Sequence, residues 1–156
     1  MRLHKYIATG LGTGYSPIAP GTVGSILGTF FLFFISLVFN NLHFPQSIIL
    51  SLNFVVIICV MFLGVYSIKQ VHKIWKHDAQ KIVIDEIVGV WIAMFAIPFK
   101  LEYYIYGLIL FRFFDIAKPF FIRRIDKMKT AWSVMLDDVV AGIYANIILQ
   151  CVIYFS

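Results

Sequence analysis

Five apolar segments, with basic connectors after the second and the fourth, leave this chain few ways to fold. They run roughly over Ser25–Phe39, Ser47–Ser67, Ile82–Pro98, Leu101–Ala117 and Val139–Phe155. Of 156 residues, 61% are hydrophobic and 13% charged, a balance that places the chain in the membrane class. A helix crossing the bilayer core needs about 20 apolar residues, fewer where the bilayer adapts. The second segment meets that length and the first and fifth approach it. The third and fourth are short, with Asp85 and Glu86 near the start of one and Arg112 and Asp115 near the end of the other. These two either span as a tight pair hinged at Pro98 or dip in without crossing. The expectation is all-α: one compact integral-membrane bundle over residues 1–156, with four to five transmembrane or re-entrant helices.

The formal net charge is +5. In so apolar a chain, basic residues set orientation and meet anionic membrane lipids, so no nucleic-acid partner is expected. If all five segments cross, Arg2, Lys5 and the connectors Lys69–Lys81 and Lys118–Lys129 share one side, leaving Lys100 on the other. The positive-inside rule puts the basic side in the cytoplasm. Asp78, Asp85, Glu86, Asp115, Asp126, Asp137 and Asp138 fall on that side too, with Glu102 the exception. An ion conduit would carry polar residues through the membrane's depth, whereas these acids gather at one boundary. Cys59 and Cys151 lie inside apolar blocks and read as buried, inert thiols. No compact apolar run follows Arg2 and Lys5, so a cleaved signal peptide is not expected.

The stretch Val134–Gly142 carries Asp137 and Asp138 at the threshold of an uncharged run. One Asp is explained by the unpaired N–H groups of a helix start. A second is not, because like charges a few Å apart repel by roughly 4 kcal/mol at an effective dielectric near 20. The pair reads as holding a cation. Asp85 and Glu86 project in different directions from a helix, so they reach one ion only if the helix begins there or a partner helix closes the site. Arg112, Asp115 and Lys118 recur at i, i+3 spacing, and Pro119 stops the helix where Lys118 emerges. Such a cation–anion–cation row suits a phosphate held beside a metal-binding carboxylate.

Residues 1–24 form a loop rich in Gly and Pro, with Thr22 or Ser25 as the cap of the helix that follows. The loop either shapes the membrane entry or lines a phosphate with backbone N–H groups and hydroxyls, Thr9, Gly10 and Gly12 among them. It lacks the Gly-Lys-Ser/Thr of a Walker loop. His72 and His77 are five apart and read as interfacial residues. No Gly-x-Ser-x-Gly elbow supports a serine-type lipase.

Taken together, Thr9–Ser25, Ile82–Gly89, Phe111–Pro119 and Met135–Ala141 closely resemble the phosphatidylglycerophosphatase A family of bacterial membranes. The resemblance implies a multi-pass enzyme of the bacterial inner membrane, all-helical and Mg²⁺-dependent, with its site facing the cytoplasm. Its reaction removes the terminal phosphate of phosphatidylglycerophosphate, an anionic glycerophospholipid, to give phosphatidylglycerol. The resemblance also implies an acidic site of Asp85, Glu86, Asp115, Asp137 and Asp138, with Asp78 a further acidic position. Arg112 and Lys118 match positions suited to phosphate contact. Mg²⁺ is hard and takes carboxylates, waters and substrate phosphate. Glu86, Asp137 and Asp138 are the first-choice ligands, with Asp85, Asp115 and Asp137 as catalytic acids that support the metal or activate water. Five carboxylates exceed what one ion needs, so either two metals bind or some acids orient ligands or act as a base. Water and an Asp carboxylate both stand as attacking groups. A CDP-alcohol phosphotransferase is disfavoured, because Val139-Val140-Ala141-Gly142 follows Asp138 with no Arg. The His-based lipid phosphatase pattern is also missing.

Overall fold

The computed structural model describes residues 1–75, 80–128 and 130–155, and their regular structure is helical throughout. In order these are α1 (Arg2–Ala8), a 3₁₀ turn (Thr13–Tyr15), α2 (Pro20–Asn41), α3 (Gln46–Val71), α4 (Ile84–Ala93), α5 (Leu101–Ala117), α6 (Phe121–Asp126) and α7 (Ala131–Phe155). Asp78 and His77 lie outside the described residues. Three helices, α2, α3 and α7, are long and apolar enough to cross a membrane. With α4 and α5 they make a membrane bundle.

The short α4 sits at its centre. At ten residues it rises only about 15 Å, half a bilayer core. Seven of its ten residues are buried, against seven of the 26 in α3. Beyond Asp85 and Glu86 it is apolar all round, and such a helix belongs inside protein. One end of α4 packs Ile84, Ile87 and Val88 against Val65, Ile68 and Met135. The other places Val90 and Ala93 among Leu32, Phe111 and Leu149. Trp91 ties it to α2 by donating its indole N–H to the Gly28 carbonyl at 2.8 Å.

The third apolar segment does not stay helical to Pro98. It leaves the helix after Ala93, and Ala96 takes a left-handed φ of 59°. The freed carbonyls are met from α7. Asn146 donates to Ala93 and Phe95 at 3.0 and 2.8 Å, and Gln150 donates to Ala96 at 3.1 Å. Non-helical backbone at membrane depth persists only where protein satisfies it in this way.

Two helices begin earlier than their apolar patterns indicate. α2 starts at Pro20, with left-handed Ala19 as N-cap, in place of Thr22 or Ser25. Proline at the first position supplies a helical φ where no N–H is needed. α7 starts at Ala131, capped by reciprocal bonds in which Ser133 N–H reaches Thr130 Oγ1 at 2.9 Å and Thr130 N–H reaches Ser133 Oγ at 2.8 Å. Asp137 and Asp138 therefore lie almost two turns inside the helix, not at its start. Cys59 and Cys151 are exposed, contrary to the buried reading. Each stands on the outer surface of a spanning helix beside apolar side chains such as Val55, Phe62 and Val152.

Candidate active site

The end of the bundle where α2, α4 and α7 start and α5 finishes opens into a cleft of about 440 Å³. Its described lining includes Asp85, Glu86, Arg112, Asp115, Lys118, Asp126, Asp137 and Asp138. Six carboxylates thus face two cations. The walls are Pro17, Ala19, Pro20, Gly21, Gln80, Ile82 and Val134.

Close contact between α4 and α7 brings their acids together. A Cβ on Gly142 would collide with the carbonyl of Gly89, and one on Gly89 would collide with Phe111 and, at 2.8 Å, with the Asp138 carbonyl oxygen. Only glycine lets the two backbones approach this far. Each glycine lies one turn beyond an acid: Gly89 follows Asp85 and Gly142 follows Asp138 at i+4. Carboxylate oxygens of Asp85, Glu86 and Asp138 consequently lie within 4.8 Å of one another. α4 does begin beside its acids, and α7 closes the site against them. On α2, Gly21 adds a further close approach, since a Cβ there would meet the Glu86 carboxylate and Arg112.

Asp85 and Asp138 are 7% and 3% exposed, too little for water to screen three neighbouring charges. Asp85 Oδ1 and Glu86 Oε2 have no hydrogen-bond partner among the described residues. Burial pushes both carboxyls above their ordinary values, and the Asp85 charge adds to the effect on Glu86. Three converging oxygen donors, two with orphaned atoms, fit a hard divalent cation that would neutralise them.

Asp137 stands apart from this trio, unlike the expected ligand set of Glu86, Asp137 and Asp138. Its Oδ2 accepts from Lys118 Nζ at 2.6 Å, while its Oδ1 has no partner among the described residues. Lys118 also donates to Asp126 Oδ1 at 2.8 Å. Burial alone would lower the Lys118 pKa, but the bonds to Asp126 and Asp137 outweigh it and raise the group above its ordinary value. Arg112 and Asp115 form the expected pair on α5. Lys118 does not extend their row along the helix. It caps α5 in a left-handed conformation with φ 43°, turning towards α6 and α7.

Thr9, Gly10 and Gly12 do not line the cleft. Thr9 is fully buried and its hydroxyl donates to the Lys5 carbonyl at 2.8 Å, closing off α1. Gly10 takes a left-handed φ of 51° and presses on Val83 and Ile87, where a Cβ would sit 2.8 Å from Ile87 Cδ1. This part of the loop packs against the α4 entry. Only the later stretch, Pro17 to Gly21, reaches the cleft. Sequence reasoning gave no role to Asp126. It meets Lys118 eight residues away across Pro119, a link no helical spacing reveals.

The family model described as Phosphatidylglycerophosphatase A matches residues 6–153. A protein of Haemophilus influenzae named phosphatidylglycerophosphatase A is 38% identical over 157 residues, covering 96% of this chain and 88% of its own. Its namesake in Escherichia coli is 35% identical over 146 residues, covering 92% and 79%. A Bacteroides thetaiotaomicron protein with the provisional name phosphatidylinositol-3-phosphatase is 36% identical over 148 residues, covering 92% and 89%. No solved structure matches the chain. The similarity runs through every helix that gives the cleft a carboxylate, and on that basis the chain belongs to the phosphatidylglycerophosphatase A family.

Proposed function

We propose that this chain hydrolyses the terminal phosphomonoester of phosphatidylglycerophosphate, with Mg²⁺ held by Asp85, Glu86 and Asp138. Family membership makes it a phosphatase, and three apolar helices make it a membrane protein. The observation that carries the metal reading is the convergence of three largely buried carboxylates from two helices. Bound there, Mg²⁺ would supply Lewis-acid polarisation of the phosphoryl oxygens. Arg112, steadied by Asp115, and Lys118, steadied by Asp137, offset the charge that builds on the phosphoryl group as it transfers. Asp137, one oxygen of which holds Lys118, would act as the base that takes a proton from the attacking water. The water oxygen bonds to phosphorus as the bond from phosphorus to the glycerol oxygen breaks, and the proton taken up by Asp137 passes to that departing oxygen, giving the hydroxyl of phosphatidylglycerol and free phosphate.

Lys5 on α1 and Lys81 just ahead of α4 lie at the cleft end. Lys5 stands over Trp75 at 5.7 Å and Lys81 over Tyr15 at 5.4 Å. By the positive-inside rule that end faces the cytoplasm, and its charge concentrates an anionic lipid by roughly 1 kcal/mol per nearby Lys or Arg. Acyl chains stay in the bilayer while the headgroup enters the cleft.

The name of the Bacteroides relative favours a second reading, in which the same cleft takes the phosphomonoester of an inositol lipid. Phosphate release from purified protein, with each lipid and with or without Mg²⁺, separates the two. Phosphatidylglycerophosphate is expected to be the preferred substrate, with release dependent on Mg²⁺. Asp138→Asn is expected to lower release by more than about 100-fold, the most that losing an outer partner of a metal site usually costs. Unchanged release in Asp138→Asn contradicts the metal site, and preference for the inositol lipid contradicts the headgroup assignment.

A further inference from the structure

Lys118 stands where backbone energetics favour glycine. It ends α5 in the left-handed region at φ 43°, and after Pro119 the next residue, Phe120, also has a positive φ of 50°. A lysine at such a position costs backbone energy that its side-chain contacts can offset. That side chain points back into the cleft, 28% exposed, and is held from two directions. Asp137 on α7 takes it at 2.6 Å and Asp126, the last residue of α6, at 2.8 Å.

Asp126 has nearer cations in sequence, since Arg123, Arg124 and Lys127 lie within three residues. It nonetheless lines the cleft and pairs with Lys118. α6 is fixed for this purpose by Ile122, 1% exposed in the core packed around α7. An ammonium group has three donors. Two are spent on the carboxylates of Asp126 and Asp137, which leaves one.

We propose that Asp126 is a positioning residue for the phosphate of the substrate: with Asp137 it clamps Lys118 so that the remaining N–H faces the phosphoryl oxygens. Without Asp126 the ammonium group swings fully onto Asp137. Phosphate then loses an oriented donor, and the Asp137 carboxylate is covered. The inference rests on reading the cleft as a phosphomonoester site.

The test measures binding of inorganic phosphate to the full chain in detergent with Mg²⁺, alongside KM and kcat for phosphatidylglycerophosphate. Asp126→Ala is expected to weaken phosphate binding by about fivefold, the upper end for a half-exposed ion pair, and to raise KM more than it lowers kcat. Asp126→Glu is expected to recover most of the loss. Asp126→Asn keeps the side chain's shape, guards against misfolding, and is expected to behave like Asp126→Ala. In a Lys118→Met background, Asp126→Ala is expected to change nothing further. A tie that merely fastened α6 would lower thermal stability without that dependence on Lys118. Equal phosphate binding by wild type and by the Ala and Asn variants of Asp126 overturns the clamp, as does wild type that binds no phosphate, or a loss that persists in Lys118→Met. If phosphate binds with the expected dependence but none is released from the lipid, the lipid reading fails and the clamp stands. If the lipid is hydrolysed while phosphate binding is indifferent to Asp126, the clamp fails and the lipid reading stands.

Discussion

Under the proposed function, Arg112 has two tasks for one guanidinium group. It pairs with Asp115 on the same helix, yet its Nε is buried with no hydrogen-bond partner among the described residues. A planar fork can hold a carboxylate on one edge and offer another donor to phosphate, whereas lysine is a single point charge. Arg112→Lys is therefore expected to lower kcat for the lipid phosphomonoester by about 100-fold, the scale of losing one aligned donor to transition-state charge. Steady-state kinetics checks this, and a kcat within about threefold of wild type contradicts the role. The i, i+3 spacing of Arg112 and Asp115 was legible in the sequence because both stand on one helix. The pairing of Lys118 with Asp126 was not, because Pro119 and the positive-φ residue Phe120 separate them.

Among the helices, the contact of α4 with α7 determines whether the acids meet. Gly142 lies directly against the Gly89 backbone, so Gly142→Val must push the helices apart. The expected loss is about 1–3 kcal/mol of stability, as for other overpacked cores, with activity falling further than stability because the carboxylates separate. Thermal unfolding in detergent, measured beside phosphate release, tests this, and a fully active variant contradicts it. The bounds of α5 agree with its apolar segment because Lys100 and Lys118-Pro119 bracket a continuous run. α7 was less legible. Asp137 and Asp138 interrupt the apolar pattern and look like a helix edge, whereas they are interior residues turned towards a polar cleft. The Thr9–Gly12 stretch has the composition of a phosphate loop, yet its Gly10 serves close packing on Val83 and Ile87. Composition does not distinguish these uses, since both need backbone without a Cβ.

For the whole molecule, the chain wraps three long helices and α5 around a short buried helix and gathers six carboxylates at one end. His4 on α1 meets Ser67 near the end of α3 at 3.3 Å, and Val83 donates to the Ala8 carbonyl at 2.9 Å, so α1, the end of α3 and the start of α4 share that end. In a protein lacking Cys59 and Cys151, single cysteines at Lys73 and Lys127 are expected to label from the same face of the membrane, and one at His43 from the opposite face. Labelling of the Lys73 and Lys127 positions from different faces contradicts the arrangement. The proposed function depends most on the converging carboxylates of α4 and α7 holding a divalent ion. Titration of the purified protein with Mn²⁺, followed by electron paramagnetic resonance, tests this without reference to activity. Saturable binding that Mg²⁺ displaces is expected in wild type, and it should be lost in Asp138→Asn protein that still unfolds cooperatively. Undiminished binding by Asp138→Asn, or no saturable binding by wild type, contradicts it.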